Sequence, residues 1–141
     1  MSDPHPATPY ELRVRVAEGD IDGQGHVNNV VYLRWAQDVA VAHWRSLAPN
    51  ESRAEIGWVA RRHEIDYLAA GFLGDGLRVA TWVGKLEGLS FERHTEITRL
   101  ADGKVLSRVR TLWVPINPKT GRPKRVSTEV REIFSRAAGV A

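Results

Sequence analysis

The stretch Gly19-Asp20-Ile21-Asp22-Gly23-Gln24-Gly25 runs without interruption into His26-Val27-Asn28-Asn29-Val30-Val31-Tyr32-Leu33-Arg34-Trp35. From Glu18 to Gly25 the chain carries three glycines and three acids, a composition that makes a loop and no regular element. From His26 to Ala48 it carries neither Gly nor Pro. Asn28 and Asn29 are both suitable N-caps. Tyr32, Leu33, Trp35, Ala36, Val39, Ala40, Ala42, His43, Trp44 and Leu47 recur at helical spacing, until Pro49-Asn50 stops the run. The apolar arc is wide, which predicts a helix embraced by the rest of the fold.

Outward from this helix the pattern changes. Before the loop, Tyr10, Leu12, Val14 and Val16 alternate with Glu11, Arg13, Arg15 and Ala17, the period of a half-buried strand. Residues 49–56 read as a polar connection. Four strand candidates follow, Trp58–Leu68, Leu77–Leu86, Ser90–Leu100 and Lys104–Val114. The short links Gly74-Asp75-Gly76, Glu87-Gly88 and Ala101-Asp102-Gly103 favour antiparallel neighbours. A basic, turn-rich loop spans Pro115–Val126, and a short helix fits Thr128–Ala138 behind Ser127 or Thr128. One long helix against one antiparallel sheet is an α+β architecture.

The whole chain is 141 residues, one domain's worth, with 43% hydrophobic and 26% charged residues. Residues 1–9, with Pro4, Pro6 and Pro9, read as a disordered tail, and 10–141 as a single domain. There is no cysteine, which removes disulfides, Cys-based zinc or iron–sulfur sites and a thiolate nucleophile. No apolar run approaches the ~20 residues of a membrane span. The N-terminus lacks the basic and apolar regions of a secretory signal, so the expected location is cytoplasmic. The net charge is +3, and Lys119, Arg122, Lys124 and Arg125 concentrate four positive charges in the 115–126 loop. That loop has no interleaved aromatics, so nucleic acid is not the expected partner.

Chemically, Asp22 sits on a Gly-flanked loop facing the start of a helix. A carboxylate across a small gap from unpaired helical N–H groups suits acyl transfer, one group attacking or activating water and the other stabilising the oxyanion. The same residues have plainer readings: Asp22 as a solvated or capping carboxylate, His26 as a structural imidazole, Asn28 and Asn29 as caps. The basic loop is either a solvated charged loop or a docking site for phosphates.

The segment resembles the signature of the hotdog-fold acyl-CoA thioesterases of the 4-hydroxybenzoyl-CoA thioesterase type, a strand entering a G-D-x-D-x-x-G loop and a long helix opening with N-x-x-Tyr-x-x-Trp. It is also similar to the acyl-ACP thioesterases. Asp66-Tyr67, Gly74-Asp75, Ser90-Phe91 and Gly121-Arg122-Pro123 fall in the order that pattern has, so the resemblance covers roughly 10–135. It implies a five-stranded antiparallel sheet wrapped around one central helix. It implies acyl-CoA hydrolysis with Asp22 as nucleophile or general base and the N–H of Asn29 as oxyanion donor. His26 and Asn28 would orient water or the carboxylate. Ser90, Arg122 and Lys124 would contact the CoA moiety; from the helix and strand side chains themselves, Tyr32, Trp35, Val59 and Phe91 are the candidates for the acyl pocket. Glu64 and Asp66 are weaker carboxylate candidates. One departure stands out: Glu87-Gly88-Leu89 precede Ser90 where one related enzyme type has basic residues. An acyl carrier protein therefore stays open as a partner. The implied reaction needs no metal or cofactor beyond the CoA of its substrate. Hotdog domains pair edge to edge with the site at the interface, so a homodimer, or a dimer of dimers, is expected. Enoyl-CoA hydration and non-catalytic acyl-CoA binding are the competing readings.

Overall fold

The computed structural model describes residues 8–138. Most of the expected tail, residues 1–7, lies outside them. In chain order the elements are β1 (Tyr10–Arg15), α1 (Asn29–Leu47), α2 (Asn50–Glu55), β2 (Gly57–Tyr67), β3 (Gly76–Glu87), β4 (Ser90–Arg99), β5 (Val105–Ile116) and α3 (Thr128–Ala137). A single 3₁₀ turn at Glu18–Asp20 separates β1 from the loop ahead of α1.

The five strands form one antiparallel sheet in the order β1-β3-β4-β5-β2. Two of the three Gly-containing links are hairpins, as expected. The third is not. The chain leaves β2 at one edge and enters β3 near the other, so Gly74-Asp75-Gly76 ends a crossing segment. Short links favour hairpins, but the strand that finally pairs with β2 is β5, far along the sequence.

The connection at 49–56 also departs from expectation, because Asn50–Glu55 is a helical turn and a half. None of its residues is buried, so it has no apolar period for a sequence reading to find.

One helix holds the core together. Val31, Tyr32, Trp35, Ala36, Val39, Ala40, His43 and Trp44 are the buried residues of α1, adjacent pairs four apart and therefore a single face. Its first half packs with Val16, Val27, Leu77, Val79, Ile97 and Leu106. Trp44 joins a second cluster with Ile56, Val83, Phe91, Val130 and Phe134, under α3. The opposite face of α1, with Arg34, Gln37, Asp38, Val41 and Arg45, is exposed. The helix is thus covered on one side, less enclosed than its wide apolar arc suggests. Trp82 is buried and stacks on His94, while Trp58 and Trp113 pack against the second cluster.

Candidate active site

The two acids of the loop have separate jobs. Asp20 is 6% exposed and knits the 3₁₀ turn. Its Oδ2 accepts from the Ala17 N–H at 2.9 Å, and its Oδ1 accepts from Arg34 Nη2 at 2.7 Å. Burial raises its carboxyl pKa, but these bonds and the Arg34 charge outweigh burial and hold it below the usual range. Its backbone carbonyl also accepts from the Asn28 N–H at 2.8 Å, which fixes where α1 begins.

Asp22 is half-buried and uses only one carboxylate oxygen in described bonds. Oδ1 accepts from the backbone N–H groups of Gln24 at 2.8 Å and His26 at 3.2 Å. The loop closes tightly on it, with the Gly25 N–H donating to the Asp22 carbonyl and the Asp22 N–H to the His26 carbonyl. Gly25 takes a φ of 83°, a left-handed conformation that favours glycine. The turn thus orients the carboxylate through Oδ1 and leaves Oδ2 for a ligand.

Asn28 caps α1, its Oδ1 accepting from the Val30 N–H at 3.2 Å, while its carbonyl accepts from the Val31 N–H. The first-turn N–H of Asn29 has no acceptor among the described residues. Asp22, His26, Asn28, Asn29 and Tyr32 all line one open cleft of about 460 Å³. The carboxylate and the unsatisfied helical N–H therefore meet at the same space.

The sequence reading missed the other wall, formed by Tyr67, Leu68, Ala69 and Ala70, the segment leaving β2. The Tyr67 hydroxyl donates to the Asn29 carbonyl at 3.2 Å, and the Tyr32 hydroxyl accepts from the Gly71 N–H at 3.0 Å. A Cβ on Gly71 would lie 3.0 Å from Val27 and 3.2 Å from the Tyr32 hydroxyl, so this close approach favours glycine. Gly71 after two alanines was the available signal.

The remaining candidates divide. The His26 ring leans edge-on against Phe72, with centroids 5.4 Å apart, and its link to Asp22 runs through its backbone. Trp35 is 4% exposed and lies within the core, edge-on to Tyr32. Glu64 pairs with Arg62 and Arg110. Ile65 packs toward the α1 core, so the alternation of β2 turns Glu64 and Asp66 to the other face of the sheet, away from the cleft.

Ser90, Arg122 and Lys124 are not brought to the cleft within one chain. Tyr67, at the cleft, pairs with Ser107, whereas Gly57 at the other end of β2 pairs with Ile116. That is about 30 Å along β5 at ~3.3 Å per residue. Phe91, next to Ser90, pairs with Trp113, and Pro123 bridges to Ile116. Lys124 Nζ donates to the Glu55 carbonyl at 3.2 Å. All three residues therefore sit at the far end of the sheet.

Among known proteins, residues 16–134 match the family model described as the thioesterase-like superfamily. A long-chain acyl-CoA thioesterase of Escherichia coli is 26% identical over 127 residues, covering 86% of this chain and 94% of that protein. A chloroplastic acyl-[acyl-carrier-protein] hydrolase of Cuphea viscosissima is 26% identical over 105 residues, 68% of this chain. The match spans only 26% of the plant protein's length. Among solved structures, a Thermus thermophilus thioesterase complexed with coenzyme A and Zn aligns with a TM-score of 0.81 at 26% identity, over 93% of this chain and 95% of that one. The dynemicin thioesterase shares the fold, with a TM-score of 0.81 at 24% identity over 95% of this chain and all of the other. With a matched family model over most of its length, the chain belongs to the thioesterase-like superfamily.

Proposed function

We propose that the protein hydrolyses acyl-CoA thioesters at the Asp22 cleft. The observation that carries this reading is the convergence of the Asp22 carboxylate with the unsatisfied Asn29 N–H on one open cleft. The carbonyl oxygen is placed at the start of α1, where the N–H and the helix dipole stabilise the developing oxyanion. Oδ2 of Asp22 either attacks the carbonyl carbon, expelling the thiolate and leaving a mixed anhydride that water then hydrolyses to the free acid, or takes a proton from a water that attacks directly. The thiolate of CoA departs with little need for protonation, which suits a site with one carboxylate. The CoA-complexed relative and the acyl-CoA thioesterase matched over 94% of its length favour CoA as the carrier.

The complete site is proposed to need two copies of the chain. β2 is a sheet-edge strand of eleven residues, mostly exposed along its length. Leu68 lines the cleft, and Val30, Phe72 and Leu73 lie within three residues of cleft-lining positions in the chain; all four are 46–67% exposed. Long exposed edges and apolar patches of this kind call for a cover. Pairing β2 with its copy about a two-fold axis is necessarily antiparallel. It would set the Gly57 end of one copy beside the Tyr67 end of the other. The partner's basic loop would then approach the Asp22 cleft with phosphate-binding charge.

A thiol-trapping assay over straight-chain, branched and aryl CoA esters, with acyl carrier protein thioesters alongside, tests the activity. The expected result is catalytic release of free CoA thiol from at least one CoA ester. With crotonyl-CoA, loss of enoyl absorbance without free thiol would mean hydration. Thermal stabilisation by CoA esters with no thiol release would mean binding alone.

A further inference from the structure

A second cavity, of about 430 Å³, opens between the C-terminal half of α1, β2 and α3, lined by Trp44, Trp58, Phe91, Arg93, Trp113 and Phe134 among others. It lies about 20 Å up α1 from the Asp22 cleft, at 1.5 Å per residue from Asn29 to Trp44. Its walls are largely aromatic, and the charged groups set in them are cations apart from Glu92. Arg93 is 6% exposed. Its Nη1 donates to Thr81 Oγ1 at 3.2 Å and to His43 Nδ1 at 2.9 Å. Burial, reinforced by the Arg93 charge, lowers the His43 pKa to about 4, so at neutral pH the imidazole is an uncharged acceptor. Both partners of the guanidinium are therefore neutral, and no carboxylate among the described residues pairs with it.

Burial lowers the Arg93 pKa only to about 10, so the charge stays in place at neutral pH. A buried charge without a counter-ion is costly. Two further donors are unsatisfied here, the buried indole N–H groups of Trp58 and Trp113. Arg45 and Arg53 add positive charge to the lining. The one acid present, Glu92, is already held by Arg110 at 2.6 Å, His94 at 3.1 Å and the Lys85 N–H at 3.1 Å.

We propose that this cavity binds an apolar ligand that ends in an anionic oxygen group, a carboxylate or phenolate, with the Arg93 guanidinium as its counter-ion. The aromatic walls take the hydrocarbon or ring, and the guanidinium fork takes the oxygens. Such a ligand has two sources. It is either a free carboxylic acid or the acyl part of a thioester with a distal anionic group, bound at the cleft of a partner copy. The binding site itself does not rest on the thioesterase reading; the choice of source does.

Because Trp44, Trp58 and Trp113 line the cavity, tryptophan fluorescence reports on it directly. Titration with hexanoate and benzoate is compared with hexanamide and benzamide. The acids are expected to bind at least tenfold more tightly than the amides, and Arg93→Met is expected to abolish that preference. Equal binding of acid and amide, a preference that survives in folded Arg93→Met, or no binding of either would overturn the proposal. If Arg93→Met does not fold, the acid-to-amide ratio in the unaltered protein decides. The source is read from kcat/KM for adipoyl-CoA against hexanoyl-CoA. A tenfold preference for adipoyl-CoA assigns the acyl group, and equal values assign the free acid. Hydrolysis of neither ester, nor of any ester in the straight-chain, branched and aryl panel, with acid binding intact, would refute the thioesterase reading and leave this site standing.

Discussion

Asp22→Asn is expected to lower kcat/KM for thioester hydrolysis by at least about 10²–10⁴-fold, the range for removing a positioned general acid or base, and by more where the carboxylate is the nucleophile. The substitution isolates chemistry from structure. An asparagine Oδ1 can still accept from the Gln24 and His26 N–H groups, so the turn that positions the side chain survives. What is lost is the negative oxygen facing the ligand. Stability should change by less than about 1 kcal/mol, because the bonds of this half-buried side chain are kept. Urea unfolding beside the kinetic assay checks this. A folded Asp22→Asn protein with near-normal turnover would remove Asp22 from the mechanism. Asp20→Asn should behave differently. It removes the charge of the buried Asp20 carboxylate from its part-buried pair with Arg34 and loosens the start of α1, so its effect should appear in stability.

Trp35→Ala is expected to destabilise the fold by roughly 3–5 kcal/mol, the cost of deleting a buried aromatic and leaving a cavity. The sequence reading counts Trp35 among the candidates for the acyl pocket, yet its ring lies inside the core, among Val31, Val39 and Leu106. Tyr32, its edge-on neighbour at 5.6 Å, lines the cleft instead. Trp35→Phe keeps most of the apolar volume and should leave KM within about twofold, while its stability falls by a smaller amount. Normal urea stability of Trp35→Ala together with a raised KM would return Trp35 to the substrate site.

The contrast between Tyr32 and Trp35 shows what the sequence could convey. Helical spacing puts both on the inward face of α1 but does not say which lies over the cleft and which under it. The loop was legible because its chemistry is local. The turn, its glycines, the Asn28 cap and the first helical N–H groups all fall within eleven residues of Gly19. The strands were legible as strands, since alternation is local too. Their order was not, because β2 pairs with β5 across the intervening β3 and β4 and nothing at Val59 or Ile65 names that partner. The cleft's second wall, Tyr67 to Ala70, went unseen for the same reason. So did the separation of Asp22 from Ser90, Arg122 and Lys124. The Arg93 cavity is a further case: Arg93 reads as one more charged residue on a strand until the fold buries it beside His43.

The most direct measurement is a crystal structure of the Asp22→Asn protein with a CoA analogue in which a methylene group replaces the thioester sulfur. The ketone carbonyl oxygen is predicted to lie within about 3 Å of the Asn29 N–H, hydrogen-bonding distance. The carbonyl carbon should face the side chain at position 22, with the CoA phosphates against the basic loop of a second copy. Analogue bound with its carbonyl remote from both Asn29 and position 22 would contradict the account.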